Sequence, residues 1–214
     1  MVIFSPINLT AVNFIGAITL KRIFILNGHP AEHSLSRTLV EAYADAARQA
    51  GHEVRVTHLH DLQFDGDFGW VNFEHPKPLE PALEKWLQDL SWSEHFMMST
   101  PMWWGGLPAK LKGLFDRTLL PGRTFDTRKK TLLGLPTPML TGRSARVVLT
   151  SDTPGWFMRL AYKNALLWQV RRQILEFVGL KPTRLTHLGP ASEAKPEQVQ
   201  RWVKQIQQLG TQAA

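Results

Sequence analysis

Two adjacent tryptophans and two adjacent glycines form the part of this sequence that is best suited to ligand chemistry. This segment, Trp103-Trp104-Gly105-Gly106, follows Pro101-Met102 and precedes a proline that can begin a helix. Tryptophan offers a wide, flat apolar surface, and a glycine turn leaves backbone amides open to a ligand. We therefore predict a site for a planar heteroaromatic group that is hydrogen bonded along one edge. A buried aromatic pair between a strand and a helix is the alternative interpretation.

A second candidate segment, residues 28–36, carries His29, Ser34, Leu35 and Ser36. Hydroxyl groups and open amides at the beginning of a helix can hold a phosphate group. An ordinary helix cap by Ser34 is the alternative, and this segment taken alone favours it. The segment matches neither G-x-G-x-x-G nor G-x-x-x-x-G-K-[ST]. A Rossmann dinucleotide motif and a P-loop are therefore excluded at this position.

The residue composition excludes several other kinds of chemistry. The 214 residues include no cysteine, which rules out disulfides, thiolate nucleophiles and cysteine-ligated metals. Pro30 separates His29 from His33, and no acidic third ligand is evident, so we predict no metal site. A serine hydrolase is excluded because no G-x-S-x-G follows a strand.

The chain is basic, with 25 lysines and arginines against 18 acidic residues and a formal net charge of +7. Such a charge is compatible with nucleic acid, a membrane surface or a phosphorylated small molecule. The densest basic runs are Arg128-Lys129-Lys130 and Arg171-Arg172. Both are too short for a nucleic-acid stripe, so we predict no nucleic-acid partner.

Strand and helix patterns alternate along the chain after residue 20. Strands are predicted at 21–27, 53–59, 94–100, 145–150 and 183–188, and helices at 34–50, 79–90, 108–119, 160–178 and from Pro196 onward. This alternation predicts an α/β fold with a parallel sheet and helices on both faces. Ligands bind such sheets beyond the carboxyl ends of the strands, where both candidate segments lie. Two long loops, at 63–78 and 121–143, interrupt the pattern and are typical of functional or interface loops.

Residues 1–20 are interpreted as an N-terminal extension that precedes one domain at 21–214. Val2 to Leu20 carries no charge, but its polar residues make it too weakly apolar for a bilayer span. No positive region precedes it and no small-residue cleavage site follows. A start codon placed too far upstream and a targeting segment are the alternatives. We expect no integral membrane span and a cytoplasmic location.

Together, the two candidate segments resemble the flavodoxin-fold NAD(P)H:quinone reductases, the DT-diaphorase-like flavoproteins. The matching residues are Gly28-His29-Pro30 with Ser34, then Pro101-Met102, Pro108-Ala109, Leu111-Lys112-Gly113 and Asp116-Arg117. The resemblance extends over residues 21–209. It implies a flavodoxin-like three-layer sandwich around a five-stranded parallel sheet of order 2-1-3-4-5.

The resemblance also implies where a flavin would be held. His29, Ser34, Leu35 and Ser36 would face its phosphate side. The ring edge and face would meet Pro101, Met102, Trp103, Trp104 and Gly105. Asp116 would reach the ribose or adenine end of FAD, which is predicted over FMN on the strength of Asp116 and the long loops. The residues after the fourth strand would close over the pyrimidine part of the ring: Thr150, Ser151, Asp152, Thr153 and Trp156.

One position departs from the better-known members of this family. They carry Thr-Thr-Gly-Gly after the fourth strand and a catalytic Tyr shortly afterwards, whereas Met158 stands where that Tyr would fall. Their proton relay therefore cannot be transferred to this chain. Tyr162, placed on the following helix, is the candidate proton donor. A half-buried helix residue without a catalytic role is the alternative.

The resemblance implies a flavin-dependent oxidoreductase that takes hydride from NAD(P)H at flavin N5 and reduces a quinone or a similar flat acceptor. The alternatives are a flavodoxin-like electron carrier and a flavin-bearing ancillary subunit of a membrane transporter. A homodimer is also expected, because the site is shared between subunits in this family. Gly69-Trp70, Phe73 and Phe125 are the predicted interface residues.

Overall fold

The computed structural model describes residues 19–69 and 77–214. Its strands are β1 Arg22–Asn27, β2 Glu53–His58, β3 His95–Pro101, β4 Phe125–Lys130, β5 Pro136–Pro138, β6 Arg143–Thr150 and β7 Leu180–Leu188. Its α-helices are α1 Leu35–Gln49, α2 Pro81–Trp92, α3 Ala109–Thr118, α4 Gly155–Leu160, α5 Ala165–Trp168, α6 Glu176–Val178 and α7 Pro196–Gln212. A 3₁₀ turn at Leu59–Asp61 follows β2, and a π-helical stretch at Gln169–Leu175 joins α5 to α6.

Five parallel strands form the central sheet in the order β2-β1-β3-β6-β7. Counting only these five strands along the chain gives the predicted order 2-1-3-4-5, which is thereby confirmed. The chain reverses direction across the sheet between β1 and β3. Ligand sites in such sheets lie beyond the carboxyl ends of the strands at this switch point.

Alternate residues of the inner strands pack into two separate cores, one on each face of the sheet. On one face, Phe24 and Phe96 pack with Trp86 of α2 and with α3, α5 and α6. On the other face, Ile23 and Met97 pack with α1 and α7. The near-continuous apolar sequence of β1 follows from this arrangement, since both of its faces are buried. The predicted three layers are therefore confirmed.

The predicted helix at 160–178 is wrong in its first part. Helix α4 ends at Leu160, and a turn separates it from α5. Lys163 and Asn164 adopt left-handed backbone angles, with φ of 49° and 53°. Asparagine tolerates this conformation better than most residues, and an α-helix cannot continue through it. The break lies beside the candidate site.

The long loop at 121–143 contains a small antiparallel ribbon that the sequence analysis missed. In it, β4 pairs with β5 apart from the main sheet. Leu140 then donates its backbone N–H to the carbonyl oxygen of Val178 and returns the chain to the domain.

The predicted extension at 1–20 lies almost wholly outside the described residues, apart from Thr19 and Leu20, which form no regular element. Within the described ranges, no helix is both long and apolar enough to cross a membrane.

Candidate functional site

A cleft of about 580 Å³ opens at the carboxyl edge of the sheet, between the turn after β3 and the loop after β6. Six of the predicted site residues line it, together with three others: Met102, Trp104, Gly105, Asp152, Thr153 and Tyr162, with Met158, Ala165 and Leu166. The two segments meet here because β3 and β6 are neighbours in the sheet, and Met102 donates its N–H to the Thr150 carbonyl oxygen at 2.8 Å. The cleft therefore lies where the topology of the sheet places a ligand.

The turn after β3 presents one tryptophan fully to solvent. Trp103 and Gly106 exchange two backbone hydrogen bonds of 2.9 Å, which closes a four-residue turn. Trp104 and Gly105 at its centre have φ of 52° and 74°, the pattern of a type I′ turn. Trp104 is 105% exposed, so it is a wall of the cleft and no part of either core. The buried-pair interpretation is therefore wrong for Trp104.

His29 supports the same turn from the neighbouring loop. Its ring meets Trp103 edge to face, with centroids 5.5 Å apart. The backbone N–H of Ala31 donates to His29 Nδ1 at 3.0 Å, and burial lowers the pKa of this imidazole. A neutral ring that accepts at Nδ1 carries its proton on Nε2. His29 is thus held as a hydrogen-bond donor beside the cleft.

The beginning of α1 supplies the second part of the site. Ser34 caps the helix, since its hydroxyl oxygen accepts the backbone N–H of Arg37 at 3.1 Å. The first-turn amides of Leu35 and Ser36 have no acceptor within an α-helix. The Ser36 hydroxyl is buried and has no hydrogen-bond partner among the described residues. An anion at this helix terminus would give these groups their missing acceptor.

The loop before α1 is held from the β2 side of the sheet. His60 Nδ1 lies 3.1 Å from the Pro30 carbonyl oxygen and donates to it. Lys110 in turn donates to the His60 carbonyl oxygen at 3.1 Å, and burial lowers the pKa of this amine. Neither His60 nor Lys110 could be predicted from the sequence, because their contacts join segments that are far apart along the chain.

The loop after β6 is fixed to the segment that follows β7. The Ser192 N–H donates to Asp152 Oδ1 at 2.7 Å. Hydrogen bonding with the Ser192 side chain, and then with the Ser192 N–H, lowers the pKa of the Asp152 carboxyl. The Ser151 hydroxyl lies 2.8 Å from His187 Nε2, and the Ala191 N–H donates to the Ser151 carbonyl oxygen. Asp152 therefore lines the cleft as a carboxylate that is already hydrogen bonded on its other side.

Tyr162 lines the cleft from the turn between α4 and α5, so its predicted position on a helix is wrong. It is 50% exposed, and its ring meets that of Phe157 edge to face at 5.1 Å. Met158 is buried and contributes to the same wall. The turn after Leu160 thus places Tyr162 among the residues that line the cleft.

Asp116, one of the predicted site residues, lies apart from this cleft. It pairs with Lys112 at 2.6 Å on α3 and lines a separate groove that also contains Phe125 and Phe177. Trp156, which is largely exposed, does not line the cleft and contacts Phe157 at 5.4 Å.

The sequence matches the profile of the Flavodoxin-like fold family over residues 21–209. The chain belongs to this family. It is 25% identical to NAD(P)H dehydrogenase (quinone) 1 of Rattus norvegicus over 220 residues, covering 87% of this chain and 77% of the relative. It is 26% identical over 196 residues to the FMN-dependent NADH:quinone oxidoreductase of Nitratidesulfovibrio vulgaris, covering 83% of this chain and 90% of the relative.

Among solved structures, the chain is similar to the NAD(P)H:quinone oxidoreductase from Methanothermobacter marburgensis. The TM-score is 0.72 at 20% identity, with 90% of this chain and 98% of the other covered. At this identity the likeness shows the shared fold.

The geometry of the site fits a flavin in two separate ways. The unpartnered Ser36 hydroxyl and the amides that begin α1 suit a phosphate group. The exposed Trp104 and the open space beside Gly105 suit a flat ring, since a Cβ atom at Gly105 would meet nothing within 4 Å. The remaining assignments of individual residues stay predictions.

Proposed function

We propose that this protein is a flavin-dependent NAD(P)H:quinone oxidoreductase. The observation that carries the proposal is the cleft at the carboxyl edge of β3 and β6, in which an exposed Trp104 faces a loop that is already fixed in place. The names of the two curated relatives support the same activity. The flavin, when bound, supplies the hydride chemistry, and the protein supplies position and environment.

FMN is better supported than FAD as the cofactor. The prediction of FAD relied on Asp116 and on the long loops. The Asp116 carboxylate pairs with Lys112 in a groove separate from the cleft. The Nitratidesulfovibrio vulgaris relative is named as FMN-dependent. One phosphate group also matches the single helix terminus and the Ser36 hydroxyl described above.

The residues of the cleft have distinct roles in this proposal. Trp104, Met102 and Met158 form apolar walls that exclude water from the reacting groups. Asp152 and Thr153 hold the edge of the ring. Tyr162 lines the same cleft, and this supports its hydroxyl as the group that donates a proton to the reduced acceptor.

NAD(P)H and the quinone would use the same cleft in turn, which is consistent with the lack of a dinucleotide motif after β1.

A homodimer remains part of the proposal. Phe125 is half-buried against Phe177, with ring centroids 5.1 Å apart, while Trp70 and Phe73 lie outside the described residues. A cytoplasmic location stays a prediction.

The test is a set of measurements on the purified protein after reconstitution with FMN or FAD. We expect the absorption bands of a bound flavin, FMN as the released cofactor of the protein as purified, and oxidation of NADH or NADPH that depends on a quinone. Tyr162→Phe should slow quinone reduction and leave flavin binding unchanged. Tyr43→Phe, which alters the chain's other tyrosine in a buried position outside the cleft, is the matched control. Absence of affinity for both flavins would end the proposal.

A further inference from the structure

Another cavity lies at the amino edge of the sheet, where β3, β6 and β7 begin and α7 ends. It has a volume of about 380 Å³, which is in the range of small-molecule sites. Five of its nine lining residues are polar or charged: Lys21, His95, Ser144, Arg184 and Gln212, beside Ala145, Pro182, Ala213 and Ala214. We call this space the amino-edge cavity.

The amino-edge cavity is far from the cleft. Strand β3 runs from His95 to Pro101, and Met102 immediately after it lines the cleft, so about 20 Å of strand separates the two. No residue lines both of them. A ligand of the amino-edge cavity would therefore leave the cleft free.

His95 is a buried lining residue with an unused ring nitrogen. It is 1% exposed, and its Nε2 has no hydrogen-bond partner among the described residues. Its Nδ1 lies 2.7 Å from the Ser144 hydroxyl oxygen, and the ring stacks on Tyr43 with centroids 6.3 Å apart. When the Ser144 hydroxyl donates to Nδ1, the neutral ring carries its proton on Nε2. A buried N–H without an acceptor is destabilising, so an acceptor in the cavity would be favourable.

The amino-edge cavity is also basic. Burial, followed by three nearby cations, lowers the pKa of His95 to about 3: Lys21, Arg146 and Arg184. None of the three forms an ion pair within the described part of the chain, and Glu94 pairs with Arg22 instead, at 3.5 Å. The cavity therefore attracts negative charge.

Contacts with the residues after α7 hold two of these cations and leave the third free. Lys21 Nζ donates to the Ala213 carbonyl oxygen at 2.9 Å, and Arg146 Nε donates to a backbone oxygen of Ala214. The exposed Arg184 side chain makes no hydrogen bond with another described residue. A terminal carboxylate on Ala214 would offset one of the three positive charges and leave two.

We propose that the amino-edge cavity binds a small molecule through an oxyanion, either a phosphate or a carboxylate group. The Arg184 guanidinium matches two oxygens of such a group, and the Lys21 ammonium adds a second positive charge. The His95 Nε2–H donates a hydrogen bond to the same group. The inference goes beyond the proposed function and does not depend on a bound flavin.

The predicted interface residue Phe125 lies on the other face of the sheet. Phe125 and its contact Phe177 pack on the core that includes α2 and α3. Tyr43 and Ala213 belong to the core formed with α1 and α7. No residue that lines the groove of Phe125 also lines the amino-edge cavity. A homodimer centred on Phe125 is therefore compatible with binding in this cavity.

Isothermal titration calorimetry on the full chain tests the proposal, with inorganic phosphate and succinate as probes at equal ionic strength. We expect saturable binding of at least one probe. Arg184→Gln should weaken this binding about ten-fold, because a charge-assisted hydrogen bond is lost. The Arg184 side chain is exposed, so the fold should be kept. Tighter binding of phosphate would assign a phosphorylated ligand to the cavity, and tighter binding of succinate a carboxylic acid.

The signal of His95 in NMR spectra reports binding at the cavity itself. A saturating probe should raise the pKa of His95, because an adjacent anion stabilises the imidazolium. His95→Gln identifies the signal by its loss. An unmoved His95 signal during saturable binding would place the probe elsewhere and overturn the proposal.

Two further variants serve as controls. Arg201→Gln removes an exposed arginine of α7 that does not line the cavity, and it should bind the probes as the unaltered protein does. Ser36→Ala should also keep the binding, whereas it would weaken the binding of a phosphate held at the beginning of α1. Lack of saturable binding by both probes, equal binding by Arg184→Gln, or loss of binding in Ser36→Ala overturns the proposal.

Discussion

The Ser151 hydroxyl lies 2.8 Å from Nε2 of His187, and this contact ties the loop that lines the cleft to the end of β7. Burial lowers the pKa of His187, so the imidazole is neutral near pH 7. The Ser151 hydroxyl also lies 3.4 Å from the Thr153 carbonyl oxygen. If that oxygen receives the hydroxyl proton, His187 Nε2–H donates to Ser151. The pair thus fixes the loop that carries Asp152 and Thr153, and neither Ser151 nor His187 lines the cleft.

We predict that His187→Ala weakens flavin binding by loosening this loop. One lost hydrogen bond of this kind is worth about 0.5–1.5 kcal/mol, which corresponds to a loss of affinity of up to about ten-fold. Fluorescence titration with FMN measures the change. Ser151→Ala should produce a similar effect, and the double variant should add little to either single one. Fully additive losses would show that the two side chains act separately.

Asp116→Asn should leave the affinities for FMN and FAD unchanged. The carboxylate is half-exposed and pairs with Lys112 in a groove separate from the cleft. Exposed pairs on one helix stabilise a protein by about 0–1 kcal/mol, so the melting temperature should change little. Lys112→Gln is the matched control, since it removes the other half of the pair. A selective loss of FAD affinity in Asp116→Asn would restore the contact with the adenine end that the sequence predicts.

His95 should make the protein less stable as the pH falls below neutrality. Burial, with the nearby charges of Lys21, Arg146 and Arg184, lowers the pKa of His95 to about 3. The unfolded chain, with an ordinary histidine pKa near 6.5, then binds a proton that the folded chain does not. Stability from this group is therefore fully present above pH 6.5 and is lost progressively toward pH 3.

Urea unfolding at pH 7 and pH 5 measures this effect. His95 should account for a fall of about 2 kcal/mol in the free energy of unfolding over that interval. His95→Gln should remove this part of the pH dependence, whatever it does to stability at pH 7. His33 is exposed, so His33→Gln is the control. It should leave the dependence of the free energy of unfolding on pH unchanged. An unchanged slope in His95→Gln would mean that other groups set the pH dependence.

The sequence predicted the elements whose signals are local. The prediction of β1 was correct because a strand that is buried on both faces has a continuous apolar sequence. The prediction of Ser34 as the cap of α1 was correct because an N-cap is a serine directly before the helix. The two candidate segments were correctly predicted to lie at the same edge of the sheet, because each follows a parallel strand at its carboxyl end. The break after α4 could be inferred from the sequence only through Asn164, which favours a left-handed backbone. The residues around it favour a helix, so a continuous helix was predicted.

Long-range contacts account for what the sequence did not predict. His187 and Ser151 are 36 residues apart, and no spacing rule joins a strand end to a loop at that distance. The short β5 begins and ends with proline, which argues against a strand when it is read without its partner. The turn that brings Tyr162 to the cleft likewise depends on tertiary packing.

Trp104 combines a strained backbone with an exposed side chain, and the two should respond to substitution in opposite ways. Its φ of 52° is unfavourable for a bulky residue, whereas asparagine before glycine suits a type I′ turn. Trp104→Asn should therefore raise the free energy of unfolding of the flavin-free protein by about 1 kcal/mol. It should also weaken flavin or quinone binding about ten-fold, because the ring loses an apolar wall. Thermal melting without flavin and titration with FMN separate the two effects.

Trp103→Asn is the matched control: it should lower stability, since Trp103 contacts His29 and has no positive φ. A flavin-free Trp104→Asn protein that melts below the unaltered one, with unchanged flavin affinity, would contradict the assignment of Trp104 to the cleft wall.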